Sequence, residues 1–136
     1  MDQVELKRVL VDRDLAQLGD SILNFALSAT LTKVSGRPTG RRVKNRLMTP
    51  LVDSSPLKRL LPLRTSKRDR ANAFEALAGY LWQKKAFKIE ELIDVMGKPG
   101  DSFVGDSEFE RLSLQAAFNF LVDRLEANRT QLTAQT

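Results

Sequence analysis

The sequence predicts an all-α domain, and three observations carry that reading. Apolar residues recur at helical spacing along the chain, no stretch shows the apolar-polar alternation of a half-buried strand, and clusters of glycine and proline stop the periodic stretches. At 136 residues the chain has the size of one ordinary domain, large enough for a single core but hardly for two. The expected organisation is one helical domain over residues 1–127, with the final NRTQLTAQT, residues 128–136, as a tail that frays.

The elements follow in order. Asp12 or Asp14 is positioned to cap a helix running to about Val34, which SGRPTG stops with Gly36, Pro38 and Gly40. Pro50, Pro56 and Pro62 break the span from Arg41 to Ser66, so that span is expected to hold one or two short helices and turns. A second strong helix, rich in alanine and leucine, is expected from about Asp69 to Gln83. KIEELIDVMGKPG reads as a short amphipathic helix ended by Gly97 and Pro99. The last helix opens with Ser107 and Glu110 at capping-box spacing, and Phe109, Leu112, Ala116, Phe120 and Leu121 mark its apolar stripe.

Composition excludes several chemistries. The chain contains neither cysteine nor histidine, so disulfides, thiolate metal ligands and imidazole bases are ruled out, and metal chemistry must use carboxylates that favour hard ions. No apolar run approaches the ~20 residues that span a bilayer, and MDQVELKRVL lacks the features of a signal peptide. A soluble, cytoplasmic protein without membrane partners is therefore expected. GRPTG lacks the lysine and hydroxyl of a P-loop, which argues against nucleoside triphosphate binding. The net charge of +5 is unevenly spread: eleven basic and two acidic side chains between Arg37 and Arg70 give +9 there, and the remainder carries −4. Such a block suits a phosphate backbone, although a solvated basic face would look the same in sequence.

Two acids stand out. On a helical wheel the first long helix is apolar over most of its circumference, with Phe25 among the covering residues. A narrow polar strip of Gln17, Ser21, Asn24 and Ser28 remains, with Asp20 at its edge. The second carries a matching strip of Arg68, Asn72, Glu75, Gly79 and Gln83. An ionised carboxylate in such a setting costs several kcal/mol unless it is paired or bound to a cation. Two outcomes fit: Asp20 pairs with an arginine of the middle segment and Glu75 with Arg68 or Asn72, or the acids face each other across a divalent ion. Gly19 and Gly79 each cost roughly 1 kcal/mol inside a helix, which close helix approach or local flexibility would explain. Phe25, Phe74, Tyr80 and Trp82 sit at packing spacing, favouring core or dimer contacts over base stacking.

LAQLGDSILNF, Leu15 to Phe25, resembles the signature helix of the ribonuclease III family, with Gly-Asp after a leucine-rich lead. ANAFEALAGYLW resembles that family's second acidic motif and looks closest to its short Mini-III type, whereas SGRPTGRRVKN and the compact size look more like a small archaeal branch. The resemblance covers roughly Leu15 to Met96. It implies a helical-bundle endonuclease domain acting as a symmetric homodimer in magnesium-dependent hydrolysis of double-stranded or structured RNA, with Mn²⁺ as a possible substitute. By position, Asp20 and Glu75 fall on the acids central to metal binding and catalysis, and Asn72 falls on a catalytic position where many members carry aspartate. Ala16 stands where many carry glutamate. The residues after Met96 are needed for a closing helix, so no separate double-stranded RNA-binding domain is expected, and the domain must grip RNA itself. That grip is assigned to Arg37, Arg41, Arg42 and Lys44 and to Arg64, Lys67 and Arg68, with Arg70 turned away on the wheel. A noncatalytic RNA-binding or ribonucleoprotein-associated member of the same fold, and a helical protein-interaction dimer, are the alternatives.

Overall fold

The computed structural model describes the backbone of residues 2–102 and 106–135, and side chains within that span except those of 101–106 and 129–135. Six α-helices follow one another with no strand among the described residues. None is long and apolar enough to cross a membrane.

The helix α1, Gln3–Leu10, precedes every element expected from the sequence. Asp2 caps it by accepting the Glu5 amide N–H at 2.8 Å, and Leu6, Val9 and Leu10 are buried where α1 meets α4. Helix α2, Arg13–Ser35, starts on Asp12, whose carboxylate accepts the Leu15 N–H at 2.9 Å. It stops at Gly36, whose φ of +75° lies in the left-handed region that favours glycine. Helix α3, Asn45–Asp53, runs through Pro50 instead of breaking there. One lost hydrogen bond is offset by burial of Met48 and Val52, and by Thr49, whose hydroxyl donates to the Lys67 carbonyl at 2.7 Å. A 3-10 turn at Pro56–Leu60 leads toward α4, Lys67–Gln83. This helix begins two residues before the expected Asp69 because Ser66 is its cap and Asp69 the reciprocal member of a capping box.

Helix α5, Ile89–Gly97, is followed by a 3-10 turn at Lys98–Ser102 and then by α6, Asp106–Gln135. The last helix takes in residues 128–135, which the sequence reading set aside as a tail; the side chains from Arg129 onward lie outside the described residues. Its buried face comprises Phe109, Leu114, Ala117, Phe118, Leu121 and Leu125, rotated from the expected stripe, so that Leu112, Ala116 and Phe120 are only half-buried. The Ser107–Glu110 capping box does not form either. Ser107 lies inside the helix, and Glu110 is drawn to a partner on another segment.

The centre of the domain is the crossing of α2 and α4. From Ala73 to Leu81 every residue of α4 is buried. A Cβ placed on Gly19 would lie 1.6 Å from the Glu75 carbonyl oxygen, and one on Gly79 would lie 2.3 Å from that of Leu15. The two helix backbones therefore touch, which only glycine permits, and close approach accounts for both residues. Helices α1, α3 and α6 pack on α4, while α5 bridges α2 and α6. Phe74 and Tyr80 are buried in this core, whereas Phe25 is 60% exposed and Trp82 44% exposed. Phe25 continues an exposed row with Gln17 and Ser21 at four-residue spacing, the face of α2 turned away from the core.

Candidate active site

The contact of Gly19 with the Glu75 backbone fixes what lies beside it. Asp20 follows Gly19 on α2, and its carboxyl stands beside that of Glu75 across the helix pair. Glu75 is only 5% exposed. Burial and the adjacent Asp20 push its pKa up from 4.5 to about 8, with Arg68 pulling weakly the other way. Among the described residues neither acid forms an ion pair. The first sequence-based outcome, Asp20 with an arginine of the middle segment and Glu75 with Arg68 or Asn72, finds no ion pair among the described residues, although the charge of Arg68 reaches Glu75.

Asp20 and Glu75 line an open cleft of about 800 Å³ together with Asn72, one turn before Glu75 on α4. Ala16 lies at the same cleft, one turn before Asp20, and offers no donor atom. Gln17 adds an amide from α2, and Arg68, Arg42 and Arg13 bring guanidinium groups to the walls. Asp69 also lines the cleft, but it is held at the start of α4: Ser66 Oγ accepts the Asp69 N–H at 3.0 Å and the Asp69 carboxylate accepts the Ser66 N–H at 3.4 Å. No three acids gather closely enough among the described residues to enclose a metal ion unaided.

Arg42 reaches the cleft because the chain around it is strapped to α2. Thr32 Oγ accepts the Thr39 N–H at 3.0 Å, Ser28 Oγ accepts the Arg41 N–H at 2.8 Å, and Asn24 Oδ1 accepts the Val43 N–H at 2.7 Å. Four residues of helix advance about 6 Å and two residues of extended chain about 6.6 Å. Helix positions 24, 28 and 32 thus stay in register with strap positions 43, 41 and 39. Asn24 and Ser28 of the polar strip read from the sequence anchor this segment, Gln17 and the neighbouring Asp20 line the cleft, and Ser21 is exposed.

Alternation along the strap separates Arg41 from Arg42. Arg41 turns to α6, where its Nη1 donates to Glu110 Oε1 at 2.8 Å, and Lys44 Nζ lies 3.9 Å from the other carboxylate oxygen. Glu110 is 2% exposed, so Arg41 and Lys44 are committed to a buried carboxylate. Arg64 lines an adjoining groove that shares Arg13, Asp69 and Asn72 with the cleft, while Arg37 and Lys67 are exposed and line neither. Arg70 turns away to Asp53 at 2.6 Å. Sequence reading passed over Arg13 and gave Glu110 a capping role instead. Arg13 follows the Asp12 cap and reads as an ordinary first-turn residue, and the partner of Glu110 is 69 positions away.

A cleft with two neighbouring acids and three arginines that form no ion pair among the described residues can hold a hard cation and an anionic, phosphate-bearing substrate at once. A family model described as Ribonuclease III matches residues 13–131, which include every residue named at the cleft. No curated protein matches the chain.

Proposed function

Because the chain belongs to the ribonuclease III family, we propose that the cleft between α2 and α4 hydrolyses phosphodiester bonds in double-stranded or structured RNA, using Mg²⁺, or Mn²⁺ in its place, held by Asp20 and Glu75. The observation that supports this most is the buried Glu75 carboxyl set against Asp20 with no cation of its own. Two carboxylates so placed cannot both ionise cheaply, and a divalent ion turns their repulsion into attraction. The donors are all oxygen, which suits Mg²⁺ or Mn²⁺. Because the cleft supplies two well-placed acids, water and RNA phosphate complete the ligand set, a common arrangement for Mg²⁺.

When bound, the ion supplies Lewis acidity, lowering the pKa of an attacking water and drawing charge from the phosphate. Glu75, locked in α4, and Asp20, locked beside the helix crossing, hold the binding oxygens with little freedom to move. The Asn72 amide orients a water or a ligand oxygen without adding charge. In the reaction, water adds to phosphorus, one P–O bond breaks, and a proton passes from the water to the departing ribose oxygen. The products are a phosphate monoester end and a hydroxyl end.

Arg42 and Arg68 hold the reacting strand at the cleft, with Arg37, Arg64 and Lys67 available to phosphates on either side. Arg41 and Lys44 serve the grip indirectly, by fixing the strap that carries Arg42. Recognition of this kind reads backbone shape and charge, so little sequence preference is expected. A homodimer places one such cleft on each strand, with the exposed Phe25 and half-buried Leu18 on α2 covered by the partner.

The test is cleavage of an end-labelled RNA duplex in Mg²⁺, Mn²⁺ or EDTA, with Asp20→Asn and Glu75→Gln proteins beside the wild type. Metal-dependent cutting lost in both variants supports the reading. Duplex binding without cutting, unchanged by either substitution, overturns it in favour of a noncatalytic RNA-binding protein.

A further inference from the structure

We propose that each site works with a single divalent ion, and that Arg42 takes the place of a second by binding a nonbridging oxygen of the phosphate under attack. The inference rests on the endonuclease reading above and specifies how its charge is handled.

The composition of the cleft carries it. Asp20 and Glu75 line one cleft beside the α2–α4 crossing, a single pair of acids suited to one ion. A second ion would need further anionic ligands, and the remaining wall offers few. Asn72 and Gln17 are neutral, Ala16 has no donor atom, and Asp69 is tied to Ser66. Three guanidinium groups, Arg13, Arg42 and Arg68, stand among these residues and oppose additional positive charge in the unfilled part of the cleft. A guanidinium placed there performs the electrostatic part of a second ion's work, offsetting charge that grows on phosphate oxygens as water adds.

Arg42 is singled out by its mounting. The residues on both sides of it donate backbone N–H groups to α2, Arg41 to Ser28 and Val43 to Asn24, so the backbone that carries the guanidinium is fixed before substrate arrives. Arg42 forms no ion pair among the described residues, whereas Arg41 beside it is held by Glu110. One position along an extended chain thus separates a cation used to hold the strap from one that lines the cleft without an ion pair among the described residues.

The experiment counts Mn²⁺ by electron paramagnetic resonance titration of the full chain, alone and with a 2′-O-methyl RNA duplex, and measures steady-state cleavage by Arg42→Ala and Arg42→Lys. The expected result is one Mn²⁺ per chain in wild type and in Arg42→Ala. The same Arg42→Ala substitution is expected to lower kcat by roughly 10²-fold with KM changed less than about threefold, and lysine to recover part of the loss. Two ions per chain would overturn this inference and leave the endonuclease reading intact; no ion under either condition would overturn both. A rise in KM alone, with kcat unchanged, would make Arg42 an ordinary backbone grip and overturn the assignment.

Discussion

Two glutamates are buried in this domain to nearly the same degree, and their surroundings are opposite. Glu110, on α6, meets Arg41 at 2.8 Å and Lys44 at 3.9 Å, so its charge is satisfied within the fold. Glu75, on α4, meets another acid and is pushed to a pKa of about 8. The first carboxylate stabilises a surface segment. The second raises the free energy of the metal-free protein and is tolerable where a cation or a proton compensates it. Burial alone therefore does not separate a structural acid from a functional one; the identity of the nearest charge does.

The largest effect that could break this contrast is on catalysis. Asp20→Asn and Glu75→Gln should each lower kcat by roughly 10³-fold in a duplex-cleavage assay, because each removes a carboxylate from the pair proposed to hold the metal. Arg41→Ala should leave kcat within about tenfold of wild type, since its target is Glu110 and not the phosphate. Equal losses in all three proteins would erase the distinction between the two glutamates.

The next effect is structural and tests the crossing that brings the acids together. Gly19→Ala would place a methyl group 1.6 Å from the Glu75 carbonyl oxygen, so the helices must separate. A loss of about 3 kcal/mol in urea unfolding is expected, with reduced metal binding in whatever fraction folds. Unchanged stability would show that the two backbones do not meet as described.

Arg41→Ala should cost less, about 2 kcal/mol by the same measurement, because Lys44 and entering water still compensate part of the Glu110 charge. Adding Glu110→Gln to it should return some of that loss, and additive losses would argue that the pair is not coupled.

The remaining effect is in pH dependence and isolates Glu75. Its pKa is raised on folding, so between pH 4.5 and about 8 the folded protein binds more protons than the unfolded chain. The contribution of this group is therefore fully present below pH 4.5 and is lost as pH rises toward 8. The Tm of metal-free wild type should decline across that window relative to Glu75→Gln, in which the decline is absent. A matching decline in both proteins would assign it to other groups.

Much of the scaffold was legible because its signals are local. The Asp12 cap, the Gly36 stop and the apolar circumference of α2 all lie within a few residues of what they control, and α2 forms within one residue of its expected end. Gly19 and Gly79 announced a close crossing because glycine inside a helix has a cost that needs a reason. Misreadings arose where a distant partner outweighs a local pattern. Glu110 stood at capping-box spacing from Ser107 but answers to Arg41, and Pro50 was read as a breaker but is carried by the burial of Met48 and Val52 around it. Helix α1 is too short to announce itself by periodicity, and its packing against α4 sustains it. At the site, the sequence paired Asp20 with Glu75 as candidates, and the structure shows which cations they lack. The basic block could not be subdivided from sequence: Arg41 and Arg42 are identical in composition, and only alternation along the strap sends one to α6 and the other to the cleft.

The difference between the two glutamates is tested most directly by thermal unfolding with and without metal. At about ten times its Kd, Mg²⁺ or Mn²⁺ should raise the Tm of wild type and of Arg41→Ala alike by about 5 °C, while Asp20→Asn and Glu75→Gln should lose most of that shift. A shift of equal size in all four proteins would place the ion away from Asp20 and Glu75 and contradict the account.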